Sequence, residues 1–289
     1  MIDSHLHLWR YDPVEYGWID GTMSALRRDF LPPDADAVMK RAGVHGCVAV
    51  QARQTLEETR WLLELADANP FIAGVVGWID LQSDEADAQI EAFARHPRLV
   101  GVRHIVQSEA DDFLERPQFR RGVSRLARAG LSYDILVYAR QLPAAVSFAA
   151  ALPDQHFVLD HLGKPDIRHG EYRAWRTALD RLAALPHVWC KLSGLVTEAD
   201  WRNWTHGMLR PYMDAALDAF GPSRVMMGSD WPVCTVAASY SEVLDLFDAA
   251  IGEYSADEQA QILGGTARRF WNLNDDFRLK AEATRSTTD

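Results

Sequence analysis

Eight times along this chain a short run of apolar and β-branched residues gives way to a segment with helical periodicity. That alternation constrains the fold more than any other feature. The strand-like runs are IDSHLHL near residue 2, GCVAVQAR at 46, IAGVVGWIDL at 72, LVGVRHIV at 99, LSYDILVY at 131, HFVLDHLG at 156, VWCKLSG at 188 and RVMMGSDWP at 224. Amphipathic segments such as TLEETRWLLELADA, YRAWRTALDRLAAL and YSEVLDLFDAAIG stand between them. Near-continuous apolar strands separated by helices read as parallel strands buried on both faces, and eight such units fit a closed (β/α)8 TIM-like barrel of the α/β class. An open doubly wound sheet is the alternative. It is disfavoured because neither G-x-G-x-x-G nor G-x-x-x-x-G-K-[ST] occurs. No linker or repeat beyond the βα unit divides the chain, so residues 1–279 are expected to form one domain, followed by a polar tail at 280–289.

Composition narrows the partners. The formal net charge of −11 disfavours nucleic acid, which is bound by clustered Lys and Arg. The apolar runs are far shorter than the ~20 residues of a membrane span, and no signal-peptide pattern opens the chain, so a cytoplasmic protein without membrane association is expected. Cys47, Cys190 and Cys234 lack C-x-x-C spacing and read as buried thiols. The 24-residue connection from Arg10 to Pro33, carrying Tyr11, Tyr16, Trp18 and Asp20, is long enough to be a binding loop.

In a barrel of this kind catalytic groups sit at the C-terminal ends of the strands. The polar residues there are His5 and His7, Gln51 and Arg53, Arg103 and His104, Asp134 and Tyr138, Asp160 and His161, Lys191 and Ser193, and Ser229 and Asp230. Alternation along a strand puts Asp3, His5 and His7 on one face. Two imidazoles on one face can bind a divalent ion or polarise an oxygen directly, whereas H-x-H alone is also common among structural histidines. Asp230 needs a cation or an imidazole nearby if it is buried, which His161 and the H-x-H pair can supply; otherwise it is a turn residue before WP. Arg103 and His104 should point opposite ways. Asp160 is expected to make a barrel-to-helix contact, and Lys191 is either a site residue or a structural ion pair. Trp18 and Trp231 can stack on a sugar face or simply pack.

The pieces IDSHLHLW, GVRHIVQ, LDHLGKP, KLSGL, MGSDWPV and LGGTARRFWNL together resemble the amidohydrolase superfamily, in its branch of amidohydrolase-2-type proteins and lactone hydrolases. The resemblance implies a distorted (β/α)8 barrel in which His5, His7, His161 and Asp230 surround the reaction centre. Many members carry a strand-four Lys or Glu and a strand-five His, and this chain has GVRH and YDILVY there, which argues against a binuclear metal centre. Two states remain: one divalent ion, Zn²⁺, held by His5, His7 and Asp230, or a site that works without metal. The implied reaction is hydrolysis of an aldonolactone, such as fuconolactone or rhamnonolactone, to the sugar acid. Asp230 would act as base and then acid, the histidines would polarise the carbonyl, and Arg103, Lys191, Trp18, Arg53, Tyr138 and Trp231 would contact the small-molecule lactone. An acidic lactone of the pyrone-dicarboxylate or muconolactone type, a decarboxylation, and non-catalytic sugar-acid binding are the alternatives.

Overall fold

The computed structural model describes residues 1–273, so the tail at 280–289 lies outside the described residues. The eight expected strands form: β1 Ile2–Leu6, β2 Gly46–Val50, β3 Ile72–Gly77, β4 Leu99–His104, β5 Ser132–Ile135, β6 Phe157–Leu159, β7 Val188–Leu192 and β8 Val225–Met227. Each neighbouring pair is parallel, in chain order from β1 to β8. The barrel closes at the upper ends of β1 and β8, where Asp230 N–H donates to the His5 carbonyl at 2.8 Å and His7 N–H to the Trp231 carbonyl at 2.6 Å. Closure therefore joins the H-x-H strand directly to Asp230.

A helix follows each strand: α1 Pro32–Arg41, α2 Leu56–Ala68, α3 Ala86–Ala94, α4 Pro117–Leu126, α5 Leu142–Ala150, α6 Arg173–Ala183, α7 His206–Phe220 and α8 Tyr240–Ile251. Polar N-caps start several of them; Thr55 accepts from Glu58 N–H, and Ser239 forms a reciprocal pair with Glu242. Between strands and helices lies the larger apolar core, while Ile2, Val48, Val50, Val76, Val158 and Met226 form part of a separate interior cluster. Trp271, on the last described helix, Thr266–Trp271, belongs to that inner cluster, and its ring centre is 5.2 Å from Lys191 Nζ. Cys47, Cys190 and Cys234 are free and buried, as their spacing suggested. Among the described residues no helix is long and apolar enough to cross a membrane.

One expectation fails in β1. Register with β2 slips between Asp3 and Leu6. The irregularity breaks simple alternation, so Asp3 does not share a face with His5 and His7. It turns instead to Ser229 and Tyr240, accepting from Ser229 N–H at 2.9 Å and from the Tyr240 hydroxyl at 3.1 Å.

Candidate active site

After the slip, β1 delivers His5 and His7 to the mouth of the barrel. Three imidazoles turn their Nε2 atoms on one carboxylate oxygen: His7 at 3.4 Å, His5 at 3.8 Å and His161 at 3.9 Å from Asp230 Oδ1. Their other nitrogens are anchored. His7 Nδ1 donates to the Val50 carbonyl at 2.7 Å, which leaves the Nε2 lone pair of the neutral ring facing Asp230. His161 Nδ1 lies 2.8 Å from Ser193 Oγ, and His5 Nδ1 lies 3.3 Å from Lys191 Nζ and 3.4 Å from Asp160.

Local backbone explains how the two late strands contribute. Asp230 adopts φ 58°, and His161 adopts φ 53° two residues past the end of the three-residue strand β6. Neither is a conformation that ordinary strand alternation anticipates. The left-handed bend brings Asp160 and His161 to the same side, so Asp160 makes no barrel-to-helix contact, contrary to expectation. Its carboxylate takes Arg103 at 3.0 Å and Lys191 at 2.9 Å beneath the histidines. Gly194 gives His161 room, because a Cβ there would lie 2.5 Å from its Nδ1 and the residue has φ 65°.

Burial lowers the pKa of His5, His7 and His161, the last to about 4, so all three rings are neutral near neutral pH. Burial alone would raise Asp230, but the imidazoles around it, His161 foremost, take up protons before it does as pH falls and hold the carboxyl well below the usual range. The site thus presents an anion ringed by neutral imidazoles.

A cavity of about 170 Å³ opens above this group, with His7, Arg103, His161, Lys164 and Asp230 on its polar side. Trp18, Ile105 and Leu136 supply apolar wall. Drug-sized sites run to ~300–1,000 Å³, so this one suits a single sugar-sized ring.

Of the expected substrate contacts, Arg103 and Trp18 line the cavity; four others do not. Lys191 is fully buried below His5, bound to Asp134 at 2.5 Å and to Asp160, so the ion-pair alternative describes it. Arg53 turns to Glu15 and Glu58, drawn by opposite charge. Trp231 is buried edge-on against Phe30, and Tyr138 sits at the rim beside Arg140 and Lys164. His104 faces away from Arg103, stacked on Phe113, as alternation requires. Two residues escaped the sequence reading. Lys164 lies inside the quoted LDHLGKP, three residues after His161, and that spacing was the available signal. Glu58 is hidden on an ordinary amphipathic helix.

Glu58 fastens the binding loop to the barrel. Its carboxylate accepts from Ala52 N–H at 3.0 Å, Arg53 N–H at 2.7 Å and the Tyr16 hydroxyl at 3.3 Å. Burial raises its pKa from 4.5 to about 7 despite these donors and Arg53. Between those values the folded protein holds a proton that the unfolded chain has released, so stability is lost as pH rises through the window, by about 3 kcal/mol. Glu58→Gln removes that slope. Its thermal midpoint relative to wild type is expected to rise steadily from pH 4.5 to 7; a pH-independent difference would contradict the assignment.

Donor chemistry fits a divalent ion. His5, His161 and Asp230 each offer a ligand atom within 4.8 Å of the others, two neutral imidazoles and one carboxylate, a set that suits zinc. The set that the sequence suggests, His5, His7 and Asp230, also converges, with its ligand atoms 3.2–3.8 Å apart, and the turn at φ 53° adds His161 as a further donor.

The sequence matches the amidohydrolase family over residues 2–273. L-fucono-1,5-lactonase of Burkholderia multivorans is 45% identical, with 96% of this chain and 98% of that enzyme aligned. The L-fucono-1,5-lactonase of Burkholderia ambifaria is 38% identical over 94% of this chain and 96% of its own. A Burkholderia multivorans amidohydrolase crystallised with bound zinc superposes with a TM-score of 0.91 at 46% identity, covering 94% of this chain and 99% of that one.

Proposed function

This chain belongs to the amidohydrolase family, and from that premise we propose that it hydrolyses a neutral sugar 1,5-lactone, L-fucono-1,5-lactone or a close stereoisomer, to the aldonic acid. The observation that carries the reading is the convergence of three imidazole Nε2 atoms on Asp230 Oδ1 at the base of a sugar-sized cavity.

Asp230 stays ionised at any working pH and accepts a proton from water as the oxygen adds to the lactone carbonyl. Once protonated it is a strong acid for its class, which suits return of that proton to the departing ring oxygen. His7 and His161 border the carboxylate and line the cavity, and the backbone bond from Asp230 N–H to the His5 carbonyl fixes its position. A divalent ion on His5, His161 and Asp230 would supply Lewis acidity toward the carbonyl.

The charges favour a neutral substrate over an acidic lactone. The Arg103 guanidinium is already committed to Asp160 and Gln51, which leaves Lys164, its charge answered by Glu198 at 3.1 Å, as a single cation with N–H groups to spare on the cavity. A dicarboxylate would call for convergent cations with free N–H groups. Arg53 and Arg140 are likewise paired, with Glu15 and Asp111.

A panel of neutral aldonolactones, acidic lactones and aromatic acids, followed by acid and CO₂ release, tests the proposal. Turnover is expected on neutral 1,5-lactones without CO₂ release. It should survive a chelator at more than about a tenth of its rate, since the chain's own hydrogen bonds assemble Asp230 and its imidazoles. Preference for an acidic lactone, or CO₂ release, would refute it. Lactone binding without turnover would favour a binding protein.

A further inference from the structure

Two lysines stand among the barrel's polar residues, and only Lys164 reaches the cavity. The backbone takes it there. His161, Leu162, Gly163 and Lys164 have φ of 53°, 55°, 70° and 49°, four consecutive left-handed residues closed by Lys164 N–H on the His161 carbonyl at 2.7 Å. A three-residue turn eclipses positions i and i+3, so His161 and Lys164 face the cavity together. Leu162 turns into the core, and its carbonyl accepts from Trp175 Nε1 at 2.7 Å. Gly163 packs where a Cβ would lie 2.6 Å from Leu142. Left-handed backbone is unfavourable for an L-residue, and three non-glycine residues adopt it here.

The Lys164 side chain is fixed from behind. Nζ lies 3.1 Å from Glu198 Oε1, at the end of the short helix Leu195–Glu198 after β7, and 5.4 Å from the Tyr138 ring centre. An ammonium has three N–H donors, so the pair with Glu198 leaves donors for the cavity. Burial would lower the Lys164 pKa, but Glu198 and Asp230 outweigh it and keep the group charged. Arg103 is less free, with its terminal N–H groups engaged by Asp160, His5 and Gln51.

We infer that Lys164 is a catalytic residue whose ammonium donates a hydrogen bond to the lactone carbonyl oxygen as water adds, with Glu198 the positioning residue that holds Nζ. The inference rests on the lactonase reading of the site. A bond forms from the water oxygen to the carbonyl carbon, the water proton passes to Asp230, and the C=O pair moves onto the oxygen facing Lys164. On collapse that pair re-forms the carbonyl, the ring C–O bond breaks, and the ring oxygen takes the proton from Asp230. Lys164 keeps its three protons throughout.

Wild type, Lys164→Met, Lys164→Arg, Glu198→Gln and Glu198→Asp are compared on the best neutral lactone, with thermal midpoints measured for each. Lys164→Met should lower kcat by about 10²- to 10³-fold, the cost of losing one oxyanion donor, with KM within about threefold and the midpoint nearly unchanged. Lys164→Arg should retain more activity. Glu198→Gln should lower kcat about tenfold, and Glu198→Asp should restore part of it. A Lys164→Met kcat near wild type, or a rise in KM alone, overturns the inference while the lactonase reading stands. Absence of wild-type turnover overturns both. Should Lys164→Met not fold, Glu198→Gln decides, and an unchanged kcat there counts against the inference.

Discussion

Asp230→Asn is expected to lower kcat on the best lactone by about 10³-fold, within the 10²- to 10⁴-fold range of a general acid–base group. The amide is isosteric, so the hydrogen bonds that close the barrel at Asp230 N–H and Trp231 O survive the change. What disappears is the group that takes the proton from water and returns it to the ring oxygen. Folded protein follows directly, because the substitution removes a buried charge and leaves its three neutral imidazole neighbours in place. A loss confined to KM would mean that Asp230 binds the sugar without taking part in proton transfer.

Lys191→Met is expected to act on stability, lowering it by about 3–5 kcal/mol in urea denaturation, the range for breaking a buried ion pair from one side. Lys191 sits between Asp134 at 2.5 Å and Asp160 at 2.9 Å, all three fully buried. Without it, Arg103 at 3.0 Å still answers Asp160, but Asp134 loses its cation. Burial already pushes Asp134 up to about 7 against the pull of Lys191, so it would take up a proton. The double variant Lys191→Met, Asp134→Asn should therefore recover part of the loss, a coupling that a double-mutant cycle measures. A cost under about 1 kcal/mol for the single change would contradict this account. The two lysines are thus expected to separate, Lys191 in denaturation and Lys164 in turnover.

The barrel was legible because one face of each helix and both faces of each strand are apolar, and periodicity reports that directly. The concentration of polar groups at strand ends was legible too, since packing cannot explain so many of them. His5, His7, Arg103, His161 and Asp230 come together as their strand-end positions suggested. What escaped depends on tertiary contacts. The register slip that turns Asp3 outward arises between two strands, and nothing in IDSH marks it. Alternation assumes extended backbone, so it misplaced Asp160, whose neighbour His161 bends left-handed against Gly194. The same bend carries Lys164 into the cavity. Depth within the barrel was equally hidden: Lys191 lies beneath His5 while Asp230 borders the cavity, yet both are charged residues at the ends of their strands.

Whether Asp230 and its imidazoles open a neutral sugar lactone is read from the initial rate of acid release from L-fucono-1,5-lactone, corrected for spontaneous opening. Saturable turnover by wild type, reduced about 10³-fold in Asp230→Asn, is the expected result. A wild-type rate no greater than the spontaneous one, or an Asp230→Asn rate equal to wild type, would contradict it.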